Sequence, residues 1–292
     1  MRKEFTETTE KLIKENNNSA LLLGDIGVFN FRELLTNYPG RAFNLGILEQ
    51  SMIGVGAGLA SEGVIPIIHS IAPFLIERSL EQIKVDFGYQ RLPGNLVSVG
   101  ASFDYAKLGC THHCPADITI LSNIPGINLF IPGHGLEFKS HFMNYWNSGS
   151  LNYFRLSEVQ NDENFDLKVG EIKKIKNGSA AVVIAVGPFL NNVIEGLSDL
   201  DLEIHYVNSI VDSVDMVICS DFPGKKVVLY EPYYSGPLLM KVFQQLNQSK
   251  CSILQIGVPK KFIEEYGTYN EHLINLELDS VSLRRRISEF IS

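Results

Sequence analysis

Short, almost unbroken apolar runs recur along this chain: ALLLGD (20–25), VIPIIHSI (64–71), NLVSVG (95–100), INLFIP (127–132), AAVVIAVG (180–187), EIHYVN (203–208), MVICS (216–220), KVVLYE (226–231) and SILQIG (252–257). Runs of this length with little polar alternation predict strands buried on both faces. Between them, ILEQSMIGVGAGLASEG (47–63), FLIERSLEQIKVDFGYQ (74–90) and PLLMKVFQQLNQ (237–248) carry apolar residues at helical spacing. Strand and helix alternate, which predicts an α/β chain with doubly wound, mostly parallel sheets. The polar stretch EVQNDENFDLKVGE (158–171) interrupts the pattern, and it restarts near Ala180. The reading is two α/β domains, 1–160 and 171–292, joined by a linker at 161–170.

Composition narrows the class. With 292 residues, 45% of them hydrophobic, the chain has enough apolar surface for a core in each half. Its 33 acidic and 25 basic residues are interspersed, giving a net charge of −8 and no basic patch with interleaved aromatics. That argues against a nucleic-acid partner. No apolar run approaches the roughly 18 residues of a membrane span, and MRKEFTETTEKLIKENNNS reads as a polar helix rather than a signal peptide. Four cysteines (110, 114, 219 and 251) are too few for a disulfide scaffold. The expectation is a cytoplasmic protein. The loop CTHHC (110–114) has metal-ligand composition, but adjacent residues cannot all converge on one tetrahedral ion and no second ligand pair follows. No metal site is predicted.

The segment FNLGILEQSMIGVGAGLASEG (43–63) bears the chemistry. It reads as a strand ending near Gly46, a turn, and a helix with Glu49 among its first residues. A carboxylate thereby stands at the carboxyl edge of a parallel sheet, where α/β folds bind ligands. Glycines 54, 56 and 58 lie inside the helix and do not make a dinucleotide fingerprint; close packing against a neighbouring helix suits them. Taken alone, Glu49 reads equally as a solvated first-turn glutamate favoured by the helix dipole.

The string GILEQ, the following GAGLASEG with Gly63, Pro66 and Phe74 beyond it, the loop GCTHHCPADI (109–118), IPGINLFIPG (124–133) and GVPKKFIEEYGTYNEHL (257–273) together resemble the transketolase superfamily, in order and over almost the whole chain. The resemblance implies a pyrimidine-binding fold for thiamin diphosphate followed by a transketolase C-terminal-like domain. It makes Glu49 the acid that shares a proton with N1′ of the cofactor's aminopyrimidine, so that the ring's imino nitrogen can deprotonate the thiazolium carbon. Phe74 takes the place that stacks on the pyrimidine, although its spacing also fits an ordinary core phenylalanine. Arg78 stands one residue away from a position that carries a polar contact, and reads equally as a surface arginine. His112 takes the place that contacts the substrate carbonyl or hydroxyl, and a histidine there can shuttle protons near neutral pH. His113 stands where relatives often carry glutamine. Arg155 falls where relatives bind a phosphate or carboxylate, with an edge-strand surface role as the alternative. His69 and Asp25, at strand ends, are weaker substrate-facing candidates.

Two departures qualify the resemblance. Leu108 occupies the place, three before Thr111, of an acidic residue that contacts a donor hydroxyl, so the usual ketose-phosphate donor is in doubt. The diphosphate motif G-D-G is missing, because Gly24-Asp25-Ile26-Gly27 lacks its third glycine. The implied protein is the C-terminal subunit of a split, thiamin diphosphate-dependent transketolase-like enzyme that moves a ketol unit between sugars or sugar phosphates. An N-terminal subunit would carry the diphosphate and Mg²⁺, in an α2β2 assembly, and VVLYEPYYSGPL (227–238) resembles a loop near that interface. The alternatives are the beta subunit of the decarboxylating component of a 2-oxoacid dehydrogenase, or a non-catalytic paralogue.

Overall fold

A computed structural model describes residues 1–211, 226–245 and 251–292. Among the described residues twelve strands lie in chain order: β1 (Ser19–Leu23), β2 (Ala42–Asn44), β3 (Ile65–Ile71), β4 (Gly94–Val99), β5 (Asn128–Phe130), β6 (Leu151–Arg155), β7 (Lys173–Lys176), β8 (Ala181–Val186), β9 (Leu202–Val207), β10 (Ser209–Val211), β11 (Lys226–Tyr234) and β12 (Ser252–Val258). They form two sheets, ordered β10-β5-β6-β4-β3-β1-β2 and β12-β11-β8-β9-β7. All pairings are parallel except β10 with β5 and β7 with β9. The α/β class with mostly parallel sheets follows from the apolar runs, since every residue of β1, β3, β4 and β8 is buried. The run at 216–220 and the end of the helix at 237–248 lie outside the described residues.

β7 and β10 are additions to the sequence reading. β7 is KKIK, half exposed at a sheet edge, and β10 has three residues; neither length nor composition marks them. β10 follows β9 of the second sheet directly, yet pairs with β5 of the first through Ser209–Phe130, Ile210–Leu129 and Val211–Asn128. One apolar cluster runs through both sheets, joining Leu22, Ile68 and Leu129 to Ile184, Val207, Leu229 and Tyr233. Segment 161–170 is tied down along its length. Asn161 Nδ2 donates to Gly187 O at 3.0 Å, Phe165 N–H to Glu137 Oε1 at 3.0 Å, and Val169 is buried.

The polar N-terminal segment is a helix, Arg2–Glu15, that buries Phe5, Leu12 and Ile13 against the first sheet. Each of those burials contributes about 1.5–3 kcal/mol. The apolar spacing of 74–90 predicts one helix; the backbone instead forms a π-helical turn at Pro73–Glu77, a short α-helical turn at Leu80–Gln82 and a second π-helical turn at Ile83–Tyr89. Apolar spacing over two turns does not distinguish an i→i−5 bond from an i→i−4 bond, so this departure is invisible in the sequence.

Candidate active site

Chain order fixes where a ligand can enter the first sheet. β1 sits between β2 and β3, so the connections leave β1 on one side and return on the other. The carboxyl ends of β1 and β3 therefore flank a topological switch point, the crevice where open α/β sheets bind ligands. Gly24, directly after β1, donates its N–H to His69 O at 3.1 Å, and a Cβ at Gly24 would meet Ser70 Oγ at 3.1 Å. A side chain there would force the neighbouring atoms to give by a few tenths of an ångström, and glycine avoids this.

Glu49 opens the helix Glu49–Ser61, reached from β2 through Gly46 at φ 76°. The residue is 1% exposed, yet both of its oxygens have donors. Ser70 O–H donates to Oε1 at 3.0 Å, and Arg78 Nη1 donates to Oε2 at 2.6 Å. A buried carboxylate without such donors would cost several kcal/mol. The Arg78 guanidinium lies over the Phe74 ring, 4.3 Å from its centroid. The His112 imidazole meets the same phenylalanine edge to face at 5.3 Å, with its Nδ1 2.9 Å from Thr111 Oγ1. Tyr105 stands 6.3 Å from His112, ring to ring, and accepts a hydrogen bond from Arg2. Arg2 also pairs with Glu158 at 3.1 Å. Glu49, Ser70, Arg78, Phe74, His112 and Tyr105 thus make one contiguous set of contacts.

Arg78 N–H bonds to Pro73 O at 3.1 Å, five residues back rather than four. Phe74 and Arg78, four residues apart, lie on the same side of this turn.

Ser70 is a site residue that sequence reasoning passes over, and strand alternation supplies it. Successive side chains of β3 point to opposite faces, so once Ser70 faces Glu49, His69 faces away. His69 is buried under the N-terminal helix, 4.7 Å from the Phe5 ring, with Nδ1 2.8 Å from Val97 O. Burial pushes its imidazole down to about 4, against the upward pull of the Val97 bond, so the ring is neutral at neutral pH.

The other candidates divide between surface and interior. Asp25 is exposed at the end of β1 with φ 61°, exchanging hydrogen bonds with the Asn44 side chain at 3.0 and 3.1 Å. His113 turns inward from the loop and meets His272 edge to face at 5.5 Å. Burial, then the neighbouring His272, lowers its tendency to protonate. Arg155 is 2% exposed. Its Nε donates to Asp117 Oδ2 at 2.7 Å, and its Nη2 donates to Ser102 Oγ at 2.7 Å and Pro232 O at 3.3 Å. Burial works against its charge, but the Asp117 carboxylate more than offsets this and holds the guanidinium ionised. Arg155 thereby ties β6 to β11. Leu108 is half exposed beside the loop. Tyr266 of the C-terminal segment covers Gly109, where a Cβ would lie 2.7 Å from its ring.

Gly56 packs tightly, as a Cβ there would meet Ile68 Cδ1 at 2.5 Å. Gly58, in contrast, has nothing within 4 Å. It faces outward with Ser51 and Val55 rather than against a neighbouring helix. Among the described residues, no three of His, Cys, Asp and Glu come together in a group that could hold a metal ion. No described helix is long and apolar enough to cross a membrane.

Residues 1–156 match the family described as transketolase, pyrimidine binding domain. Over 98% of its length the chain is 33% identical to an uncharacterized 33.6 kDa protein in the fasciation locus of Rhodococcoides fascians, covering 93% of that protein. It is 24% identical to one subunit of the apulose-4-phosphate transketolase of Phocaeicola vulgatus, covering 99% of this chain and 97% of the relative. Its fold matches a solved structure described as a split gene transketolase, inactive beta4 tetramer, with a TM-score of 0.83, 20% identity, and coverage of 99% and 97% of the two chains.

Proposed function

Because this chain belongs to the transketolase family through its pyrimidine-binding domain, we propose that it is the C-terminal subunit of a split, thiamin diphosphate-dependent ketol transferase acting on sugars or sugar phosphates. The observation that carries the reading is Glu49, a buried carboxylate at the β1/β3 switch point beside the half-buried ring of Phe74. That donor set suits the pyrimidine half of thiamin diphosphate. Glu49 can bond a ring nitrogen while Phe74 covers the ring face, a stacking contribution of about 0.5–1.5 kcal/mol. When bound, the cofactor would supply the carbon nucleophile that carries the ketol unit.

The chain's own residues have the following roles in the proposal. Glu49 Oε2 holds a proton at the pyrimidine N1′, and Ser70 fixes the carboxyl rotamer from the other oxygen. Phe74 excludes water from one face of the ring. His112, with Nδ1 taken by Thr111, offers Nε2 to the oxygen of the substrate carbonyl and moves a proton there. Tyr105 and the Arg2–Glu158 pair border the same cleft and suit a hydroxylated chain. Arg155 and His113 have interior roles in this reading and are not assigned to substrate.

The proposal gives the diphosphate and Mg²⁺ to a separate N-terminal subunit, in an α2β2 assembly, and locates the enzyme in the cytoplasm with its sugar substrates. Two features support the partner: a relative of matching length is named as a transketolase subunit rather than a whole enzyme, and Ile47 and Leu48 stand 66% and 58% exposed beside Glu49. Apolar side chains at a cleft rim suit burial against another subunit. The test mixes this chain with its candidate N-terminal partner and assays ketol transfer from ketose donors to aldose acceptors. The Glu49→Gln complex should turn over roughly 10²- to 10⁴-fold more slowly. Full activity in that variant ends the proposal, and decarboxylation of a 2-oxoacid in place of ketol transfer moves the chain to the dehydrogenase class.

A further inference from the structure

Arg78 makes the same two contacts that the proposed pyrimidine ring requires. Its guanidinium is planar, delocalised and bears N–H donors. It lies 4.3 Å from the Phe74 ring centroid and donates to Glu49 Oε2 at 2.6 Å. An aminopyrimidine would need that aromatic face and that carboxylate oxygen. One oxygen and one ring face cannot serve both groups in the same geometry.

We propose that Arg78 is an internal stand-in for the pyrimidine, holding the socket in the cofactor-free chain, and that cofactor binding is an exchange in which its guanidinium leaves Glu49 and Phe74. The inference rests on the functional reading above and adds a competitor to it. Its physical origin is the burial of Glu49. A carboxylate 1% exposed with Ser70 as its sole donor would be a poorly compensated charge. The chain must therefore satisfy Glu49 by itself whenever the cofactor is absent, and Arg78 does so without filling the socket permanently.

One feature gives Arg78 a way out. Its side chain is 37% exposed while that of Glu49 is 1% exposed, so the guanidinium can swing to solvent without unpacking the core. The ring nitrogen brings no proton of its own, so Glu49 takes up one proton from solvent as the guanidinium leaves, and that proton is the one shared between Oε2 and N1′.

The test is calorimetric titration of thiamin diphosphate with Mg²⁺ into the complex of this chain and its N-terminal partner, comparing wild type, Arg78→Leu and Arg78→Lys. A competitor predicts that Arg78→Leu binds the cofactor more tightly, by about tenfold (about 1.4 kcal/mol). Arg78→Lys, which keeps the charge but loses the planar fork, should fall between the two. Equal or weaker binding by Arg78→Leu, with an unchanged melting temperature, overturns the inference and makes Arg78 an ordinary contact. A second measurement covers a variant that folds poorly. The free pyrimidine 4-amino-5-aminomethyl-2-methylpyrimidine, titrated into the complexes without cofactor, should bind Arg78→Lys more tightly than wild type, and equal affinity overturns the proposal. Failure of the functional reading has a different signature, namely no cofactor binding by the wild-type complex, or binding that Glu49→Gln leaves untouched.

Discussion

Replacing Arg155 by Met separates two roles for this residue, anchor of the interior or binder of an anion. Arg155 and Asp117 have side chains 1% and 0% exposed, with Nε 2.7 Å from Oδ2. Without the guanidinium, Asp117 keeps the Tyr153 O–H at 2.8 Å and the Ile118 N–H at 2.9 Å, but no opposite charge. Removing one partner of a buried pair costs about 3–5 kcal/mol, because the other charge stays buried. At about 2–4 °C per kcal/mol, melting should fall by roughly 6–20 °C. Calorimetric or circular-dichroism melting of the complex reads this directly. The double variant Arg155→Met/Asp117→Leu should recover much of the loss, since replacing both charges by apolar groups is often neutral; the double-mutant cycle then gives a large coupling. If Arg155→Met melts within about 2 °C of wild type while KM for an anionic substrate rises sharply, the reasoning fails and the guanidinium belongs to the substrate.

The remaining predictions concern His69 and the glycine-rich helix. His69 falls from 6.5 to about 4 on folding. A depressed value means the unfolded chain binds the proton first, so the associated stability is complete above pH 6.5 and lost as pH falls toward 4. The full effect is on the order of 3 kcal/mol. Denaturation midpoints of wild type should therefore drop across that window by more than those of His69→Leu, and equal slopes would contradict the burial argument. Gly56→Val should destabilise the chain by about 1–3 kcal/mol through overpacking, because Ile68 Cδ1 already lies 2.5 Å from the position of a Cβ. Gly58→Ala, with open space, should raise melting slightly, by up to about 1 kcal/mol from helix propensity. A loss at Gly58 in the complex but not in the single chain would identify it as buried against another subunit.

Sequence and structure agree where a signal is local. The strands with unbroken apolar runs, and the helix that begins at Glu49, are readable because burial on both faces leaves no polar position to hide them. Glu49, Phe74, Arg78 and His112, each singled out in the sequence, stand in one set of contacts. What was not legible depends on register or on distant partners. Whether His69 or Ser70 faces Glu49 turns on one residue of alternation in β3, which the run IPIIHSI does not encode. Arg155 reads equally as an anion binder and as an edge-strand surface arginine, and its bond to Asp117, 38 residues earlier, is a long-range contact that neither reading contains. The π-helical turn at Pro73–Glu77 lay below the resolution of periodicity. β7 and β10 escaped because a half-exposed KKIK and a three-residue SIV carry too little pattern.

The crossing of β10 into the first sheet has a consequence for biosynthesis. Until Ser209–Val211 arrives, β5 has β6 on one side and an open backbone on the other. Open strand edges template association with other chains. The ribosome must travel from Phe130 to Ser209 before that edge can close, roughly 4–16 s at 5–20 residues per second. The first sheet therefore cannot be finished as a nascent unit in its own right, and a ribosome that stalls in that interval releases a chain with a sticky margin.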